Sequence, residues 1–271
     1  MSYVSLSAFD RPPTVTAHVT LLLAGCTGLP VGSFLTVVAH RVPAGQSILT
    51  PRSRCPSCRL EISARSNIPV VSYLLQRGRC RNCGARIPAR YPVIEIATAA
   101  LFFLVALRVR APLPTAAFCV FAAGIVVSSA IDLEHLRLPS SILAVTLGLG
   151  GTLLAAAAVH DAQLSALLSA AVAALAVGAA FLVVHLAAPH ALGRGDVRLA
   201  ALCAGFVGWF GGGVVVVFLL TSFLLAGATG VVLLASGHAT RHTRLAFGPF
   251  LGAGALIGIC AGAPLLHLWL H

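Results

Sequence analysis

The sequence predicts an all-α polytopic membrane protein with about eight transmembrane helices and a small zinc-stabilised module between the first two. Three observations support this fold class. The 271-residue chain is 58% hydrophobic and 9% charged, with a mean hydropathy of +0.97, far from the composition of soluble domains. Apolar segments that can span a hydrocarbon core of about 30 Å recur along it. Its long polar interval, 41–91, contains two Cys-x-x-Cys pairs.

We identify eight apolar segments in order along the chain. Their approximate bounds are 17–39, 92–107, 113–131, 141–159, 164–188, 197–210, 212–236 and 247–269. The sixth is too short to cross comfortably alone, so we expect either a tilted helix or one arm of a tight hairpin with the seventh. We interpret the first as a permanent anchor and not a signal peptide, because no Ala-x-Ala cleavage pattern follows its long apolar run.

The arginines predict how these segments are oriented. All 18 basic residues are arginine, and ten of them lie between Arg41 and Arg90. Because short loops rich in basic residues stay on the cytoplasmic side of a membrane, we place the interval 41–91 inside. Eight crossings then leave only Arg11, Arg108 and Arg110 outside, with the other fifteen arginines inside.

This topology divides the chain into an external tail at 1–16, a first transmembrane helix at 17–40, a cytoplasmic four-cysteine module at 41–91 and a transmembrane domain at 92–271. The net charge of +11 follows from the topology and from affinity for anionic lipid headgroups. Basic charge alone is weak grounds for nucleic-acid binding, which we do not expect.

Four cysteines predict a metal site in the cytoplasmic module. Cys55 and Cys58 form one Cys-x-x-Cys pair, and Cys80 and Cys83 form the second after 21 intervening residues. Two such turns complete a tetrahedral thiolate site for zinc. A pair of disulfides or free thiols is the alternative, but stable disulfides are rare in the reducing cytoplasm. A closed four-thiolate site is structural, so we expect this zinc to fold the module and not to catalyse.

Four of the seven acidic residues lie at or just inside a membrane edge: Glu95, Asp132, Glu134 and Asp196. Ionisable groups at that depth are costly, which makes each a candidate functional residue. Asp196 follows Gly193 and Gly195 at the start of the sixth segment, where an aspartate often only caps the helix. Asp132 has a similar interpretation as a polar helix terminus.

The two aspartates are more informative together, because the topology places both at the cytoplasmic edge. When two carboxyl groups face each other, one retains its proton while the other stays ionised. Such a pair can hydrolyse a peptide bond, since the carboxylate activates water while the carboxylic acid protonates the carbonyl oxygen and the leaving amine.

A set of short motifs follows a specific order along the chain. They are Gly32-Ser33-Phe34-Leu35-Thr36 with Arg41-Val42-Pro43, Cys55-Pro56-Ser57-Cys58, Asn67-Ile68-Pro69 with Ser72-Tyr73, Gly78-Arg79-Cys80-Arg81-Asn82-Cys83-Gly84, Arg90-Tyr91-Pro92-Val93-Ile94-Glu95, Ile131-Asp132, Gly193-Arg194-Gly195-Asp196-Val197-Arg198-Leu199 and Phe247-Gly248-Pro249-Phe250. From Gly28 to Gly254 the chain thereby resembles the bacterial type IV prepilin leader peptidases.

The resemblance implies an aspartic protease of the Gly-x-Gly-Asp type in the bacterial inner membrane, with 92–271 as its peptidase domain. Asp132 and Asp196 take the positions of the catalytic pair, so Asp132 is preferred over Glu134. The implied substrate is a prepilin or pseudopilin of a type IV pilus or type II secretion system, cut after a glycine. The resemblance also implies methylation of the new N-terminus with S-adenosylmethionine, and it links Gly78 to that second activity.

Three residues depart from the family pattern. Thr36 replaces the usual Asn, Ser140 replaces Asp or Asn, and Arg198 replaces Lys. The first two lie outside the catalytic pair, so they bear on methyl transfer and substrate preference and not on proteolysis. Three alternatives remain open: a peptidase without methyltransferase activity, a transporter that uses the two aspartates as an ion relay, and a non-catalytic assembly scaffold.

Overall fold

A computed structural model describes residues 15–50, 52–189, 192–238, 240, 243 and 245–270. The expected external tail, 1–16, lies outside these residues except for its last two positions. Within the described ranges the helices are α1 Val15–Arg41, α2 Val71–Leu75, α3 Arg90–Val109, α4 Pro112–His135, α5 Ser140–His160, α6 Leu164–Ala187, α7 Arg194–Gly208, α8 Gly212–Ala235 and α9 Gly248–Leu270, with a 3-10 turn at Ala64–Asn67.

The eight longer helices coincide with the eight predicted apolar segments. Among the described residues, six of them (α1, α3, α4, α5, α6 and α8) are long and apolar enough to cross a membrane, and the apolar stretch described in α9, Gly248–Gly262, is shorter. The remaining helix, α7, has 15 residues and is therefore about 22 Å long. The predicted all-α membrane fold is confirmed, including its short sixth segment.

The short helix α7 has the connection expected of a hairpin with α8, but it packs mainly on another helix. Only residues 209–211 separate it from α8, which is the tight connection of a hairpin. Its main packing partner is nevertheless α6, where small residues let the two backbones approach. A side chain at Gly208, for example, would place its Cβ 2.6 Å from Cβ of Ala173. Small residues at such contacts are typical of helix pairs within membranes.

Helix α4 lies at the centre of the bundle. It contacts α1, α3, α5 and α9, and 61% of its spanning window is buried inside the protein, against 22–39% for the other five spans. Aromatic rings join it to α7, because Phe121 stacks on Phe206 with ring centroids 4.5 Å apart. The last turn of α4 therefore lies between several helix ends, on the membrane face where residues 42–89 connect α1 to α3. We call this the module face.

The module is held between α1 and α3, which pack closely. Gly28 of α1 faces the backbone of α3, where an added Cβ would lie 2.4 Å from Cα of Ala99. Because both ends of the module continue into this helix pair, the spacing between α1 and α3 also sets the spacing between the ends of the module.

We therefore expect Gly28→Ala to force α1 and α3 apart and to lower the free energy of unfolding by about 1–3 kcal/mol, the usual cost of overpacking. Gly25→Ala is the matched control, since its Cβ would meet its nearest neighbour, Cδ2 of Phe103, at an ordinary 3.7 Å. Thermal unfolding of both variants in detergent tests this, and equal midpoints for the two would contradict it.

Candidate active site and metal centre

Asp132 lies in the last turn of α4, with only 5% of its surface exposed. Its Oδ2 accepts a hydrogen bond of 2.9 Å from the backbone N–H of Gly248, the first residue of α9. One turn later Leu136 ends α4 in a left-handed conformation, with its N–H donated to the carbonyl of Asp132. The carboxyl group is thus fixed between the end of one helix and the start of another.

Asp196 is the third residue of α7. Its Oδ2 accepts the N–H of Gly193 at 3.1 Å, while its own N–H donates to the carbonyl of Gly193. The capping interaction that the sequence suggested for this aspartate is therefore present. Since it involves only Oδ2, the cap orients the carboxyl group and does not conflict with a chemical role for it.

The two aspartates converge at the module face around Leu138, in the link between α4 and α5. The carboxyl groups are close enough for an electrostatic interaction. An added Cβ at Gly195 would lie 2.9 Å from Cβ of Leu138, and one at Gly248 would lie 2.7 Å from Oδ2 of Asp132. Both glycines therefore permit close approach. Gly248 was not singled out from the sequence, although the Phe247-Gly248-Pro249-Phe250 motif contained it.

The other two membrane-edge acids have partners that explain them. Glu134 forms an ion pair with Arg90 at the start of α3, and its side chain is 42% exposed. Glu95 is buried, and its Oε2 accepts the N–H of Val70 at 2.7 Å. These contacts attach the module and α3 to the neighbouring helices, which gives both glutamates structural roles.

Two of the residues that depart from the family pattern meet at the start of α5. The guanidinium of Arg198, in α7, donates to the hydroxyl of Ser140, so this pair connects α5 to α7 next to the aspartates. Thr36 is buried in α1, and its hydroxyl donates to the carbonyl of Ser33 at 2.7 Å. The hydrogen bond of Thr36 thus stays within α1, whereas that of Ser140 joins two helices.

The four module cysteines come together as predicted. The sulfur atoms of Cys55, Cys58, Cys80 and Cys83 all lie within 4.8 Å of one another, and Sγ of Cys55 is 3.8 Å from Sγ of Cys83. A disulfide would require about 2.05 Å, whereas four sulfurs around zinc at about 2.3 Å lie about 3.8 Å apart. The arrangement fits a tetrahedral metal site.

The two halves of this centre repeat one backbone pattern with an offset of 25 residues. The N–H of Cys55 donates to the carbonyl of Leu60, as that of Cys80 does to Ala85. An isolated antiparallel β-bridge joins Arg54 to Glu61, and the equivalent β-bridge joins Arg79 to Arg86. The sequence repeats at the same offset, since seven residues of the first half recur in the second: Arg52, Arg54, Cys55, Cys58, Ile62, Ala64 and Arg65 match Arg77, Arg79, Cys80, Cys83, Ile87, Ala89 and Arg90.

Backbone N–H groups in both turns point at the cysteine sulfurs. The N–H of Cys58 lowers the pKa of the Cys55 thiol, and the N–H of Cys83 does the same for Cys80. For Cys83, the N–H of Ala85 lowers the pKa, but burial and the neighbouring thiols raise it overall to about 11. N–H donors of this kind favour thiolates, the form that binds zinc.

Gly78 follows α2, just before the second cysteine pair. It has a φ of +65°, and an added Cβ would lie 3.0 Å from the phenolic oxygen of Tyr73, so its conformation and its surroundings both favour glycine. Next to it lies an open cleft of about 430 Å³. The lining residues of the cleft are Ser66, Ser72, Leu75, Gln76, Arg79, Cys80 and Arg81.

Comparison with protein families gives two matches that follow each other along the chain. Residues 26–109 match the family described as the bacterial peptidase A24 N-terminal domain, and residues 119–232 match the type IV leader peptidase family. The first match contains the module and the second contains both aspartates.

Individual relatives cover nearly the whole chain. The protein named prepilin leader peptidase/N-methyltransferase in Bacillus subtilis (strain 168) is 31% identical over 247 residues, covering 90% of this chain and 95% of that protein. The protein of the same name in Burkholderia pseudomallei (strain 1026b) is 35% identical, covering 97% and 91%. The one in Pseudomonas aeruginosa is 32% identical, covering 90% and 91%. No solved structure matches the chain.

From the sulfur geometry we expect the purified chain to contain about one zinc ion, as four-thiolate sites do. Cys58→Ser removes one ligand, so zinc should be lost and the interval 41–91 should become sensitive to protease. Cys26→Ser is the control, since Cys26 lies singly in α1. Elemental analysis and limited proteolysis measure both effects. Retention of zinc by Cys58→Ser, or a zinc-free parent chain, would contradict the metal site.

Proposed function

The chain belongs to the type IV leader peptidase family, and we propose that it acts as an aspartic endopeptidase with Asp132 and Asp196 as its catalytic pair. The observation that carries this proposal is the convergence of the two acids at one membrane face, with one oxygen of each held by a backbone N–H. Backbone donors fix the carboxyl groups before substrate arrives, and such preorganisation is a general source of catalytic power.

In this mechanism one of the two carboxyl groups is protonated while the other is ionised, because neighbouring acids cannot easily both ionise. The ionised member takes a proton from water, which attacks the scissile carbonyl carbon. The protonated member donates to the carbonyl oxygen and later to the leaving amine. Gly193 and Gly195 shape the active-site turn: Gly193 holds Asp196 through its N–H, and Gly195 lets α7 approach Leu138.

The proposed substrate is the leader of a prepilin or pseudopilin, cut after a glycine. Relatives named prepilin leader peptidases support it. We place the chain in a bacterial inner membrane, and the arginines favour a cytoplasmic module face there. Within this proposal 41–91 is the cytoplasmic module and 92–271 the peptidase domain, whereas the family matches leave 110–118 between them. A type IV pilus or a type II secretion system would use such a product.

The alternatives of an ion transporter and a non-catalytic scaffold are not favoured. Both family matches are to peptidases. The aspartates lie at a membrane edge next to a four-cysteine module, and a relay through the membrane requires neither of these features.

Asp132→Asn and Asp196→Asn should each reduce cleavage of a prepilin in detergent by at least about 100-fold, because general acid–base catalysis contributes about 10²–10⁴-fold. Asp161→Asn is the control, since it removes a carboxylate that lies between α5 and α6, at the opposite end of α5 from the module face. Gel analysis of the cut leader measures the rates. Full activity in either aspartate variant would refute the catalytic pair.

We further propose that the chain methylates the new N-terminal amine, with the methyl donor S-adenosylmethionine held in the cleft next to Gly78. When bound, that cofactor supplies a methyl group to an amine. The cleft volume of about 430 Å³ lies within the usual range of about 300–1,000 Å³ for small-molecule sites. Ser66 and Gln76, which also line the cleft, would offer hydrogen-bond partners to its polar groups. The positive φ of Gly78 sets the path of the chain into Arg79 and Cys80, which line this cleft.

The variant Gly78→Ala tests the methylation proposal separately from proteolysis. A Cβ there meets Tyr73 and strains the backbone, so we expect cleavage to continue while methylation falls below detection. Gly45→Ala is the control, because Gly45 has a similar φ of +66° in the same module but no neighbour within 4 Å. Mass spectrometry of the cut pilin with labelled S-adenosylmethionine measures the outcome, and undiminished methylation in Gly78→Ala would contradict the site.

A further inference from the structure

The short helix α2 is amphipathic with its apolar side outward. Val71, Leu74 and Leu75 are spaced to share one helix face, and they are 47%, 67% and 80% exposed. Between them Ser72 is buried, and its hydroxyl accepts the N–H of Ile68. A module in water would bury the leucines and expose the serine. The reversed pattern indicates that this face of α2 contacts an apolar phase.

The position of α2 in the molecule identifies that phase. Val70, the residue before α2, donates its N–H to the buried carboxylate of Glu95, which lies in the second turn of α3. Since α3 is a membrane-spanning helix that begins at Arg90, this bond holds α2 at the depth of the bilayer surface. Two exposed leucines at that depth lie within reach of the acyl chains.

The charges next to α2 complement an anionic bilayer. Arg77, Arg79 and Arg81 follow the helix and are all exposed. Glu61 is the only acidic residue in the interval 41–91. Leucines flanked by arginines are typical of segments that lie in the membrane interface, where the apolar face enters the headgroup boundary and the arginines bind lipid phosphates.

We propose that α2 is an interfacial anchor, which inserts Leu74 and Leu75 into the leaflet at the module face while Arg77, Arg79 and Arg81 bind anionic headgroups. The zinc module then lies on the bilayer and not free above it. This inference does not depend on the peptidase activity. It concerns a lipid contact made by the polar loop, in addition to those made by the spanning helices.

Tryptophan fluorescence of the full chain in nanodiscs of phosphatidylethanolamine and phosphatidylglycerol tests the anchor. Leu75→Trp adds an emitter at the proposed contact, and Ser57→Trp adds one at an exposed position of the first cysteine turn. Subtracting the parent signal removes the contribution of Trp209 and Trp269. Zinc content, measured in parallel, shows that the module remains folded in both variants.

Lipids brominated near the headgroup end of their acyl chains should quench the emission added by Leu75→Trp and leave that of Ser57→Trp largely unchanged. Aqueous iodide should quench the emission added by Ser57→Trp more strongly than that added by Leu75→Trp. Quenching of Leu75→Trp by the brominated lipids should weaken in discs of phosphatidylcholine alone, because the arginines lose their anionic partners. Leu75→Trp emission that is open to iodide and unaffected by brominated lipid would overturn the proposal.

Discussion

The hydrogen bond from the N–H of Gly248 to Asp132 is the contact on which the geometry of the site depends. A carboxyl group buried at a membrane edge is costly unless it is hydrogen-bonded, and here the first residue of α9 supplies both an N–H and the positive end of the helix dipole. The bond forms only where position 248 lacks a side chain. It thereby fixes the start of α9 against the last turn of α4, the central helix of the bundle.

The sequence alone was sufficient to locate the helices and the two aspartates, because apolar length and arginine distribution are properties of composition along the chain. The same signals could not reveal Gly248, which lies 116 residues from Asp132 and meets it only through tertiary packing. The bond between Glu95 and Val70 was hidden for the same reason. The sequence raised helix capping and catalysis as alternatives for Asp196, whereas in the structure the cap is what orients the proposed catalyst.

The module and the site are mechanically connected, although the cysteines and the aspartates belong to different family matches. Glu95 binds the backbone before α2, and Arg90 pairs with Glu134, two residues from Asp132. Loss of metal from the cysteine cluster would therefore disturb the residues that lead into α3. The ion pair between Arg90 and Glu134 would transmit that disturbance to the end of α4. A metal bound at the cysteine cluster would thus influence the proposed catalytic pair without a chemical step of its own.

The length of α7 also determines what surrounds it. At about 22 Å the helix is shorter than a hydrocarbon core of about 30 Å, and its residues 199–208 are buried or half-buried among the neighbouring helices. Arg108 places its guanidinium over the ring of Phe210, just after the end of α7. Protein therefore shields a span that is too short for lipid, while Asp196 in its first turn stays partly exposed at the module face, where water can reach it without crossing hydrocarbon.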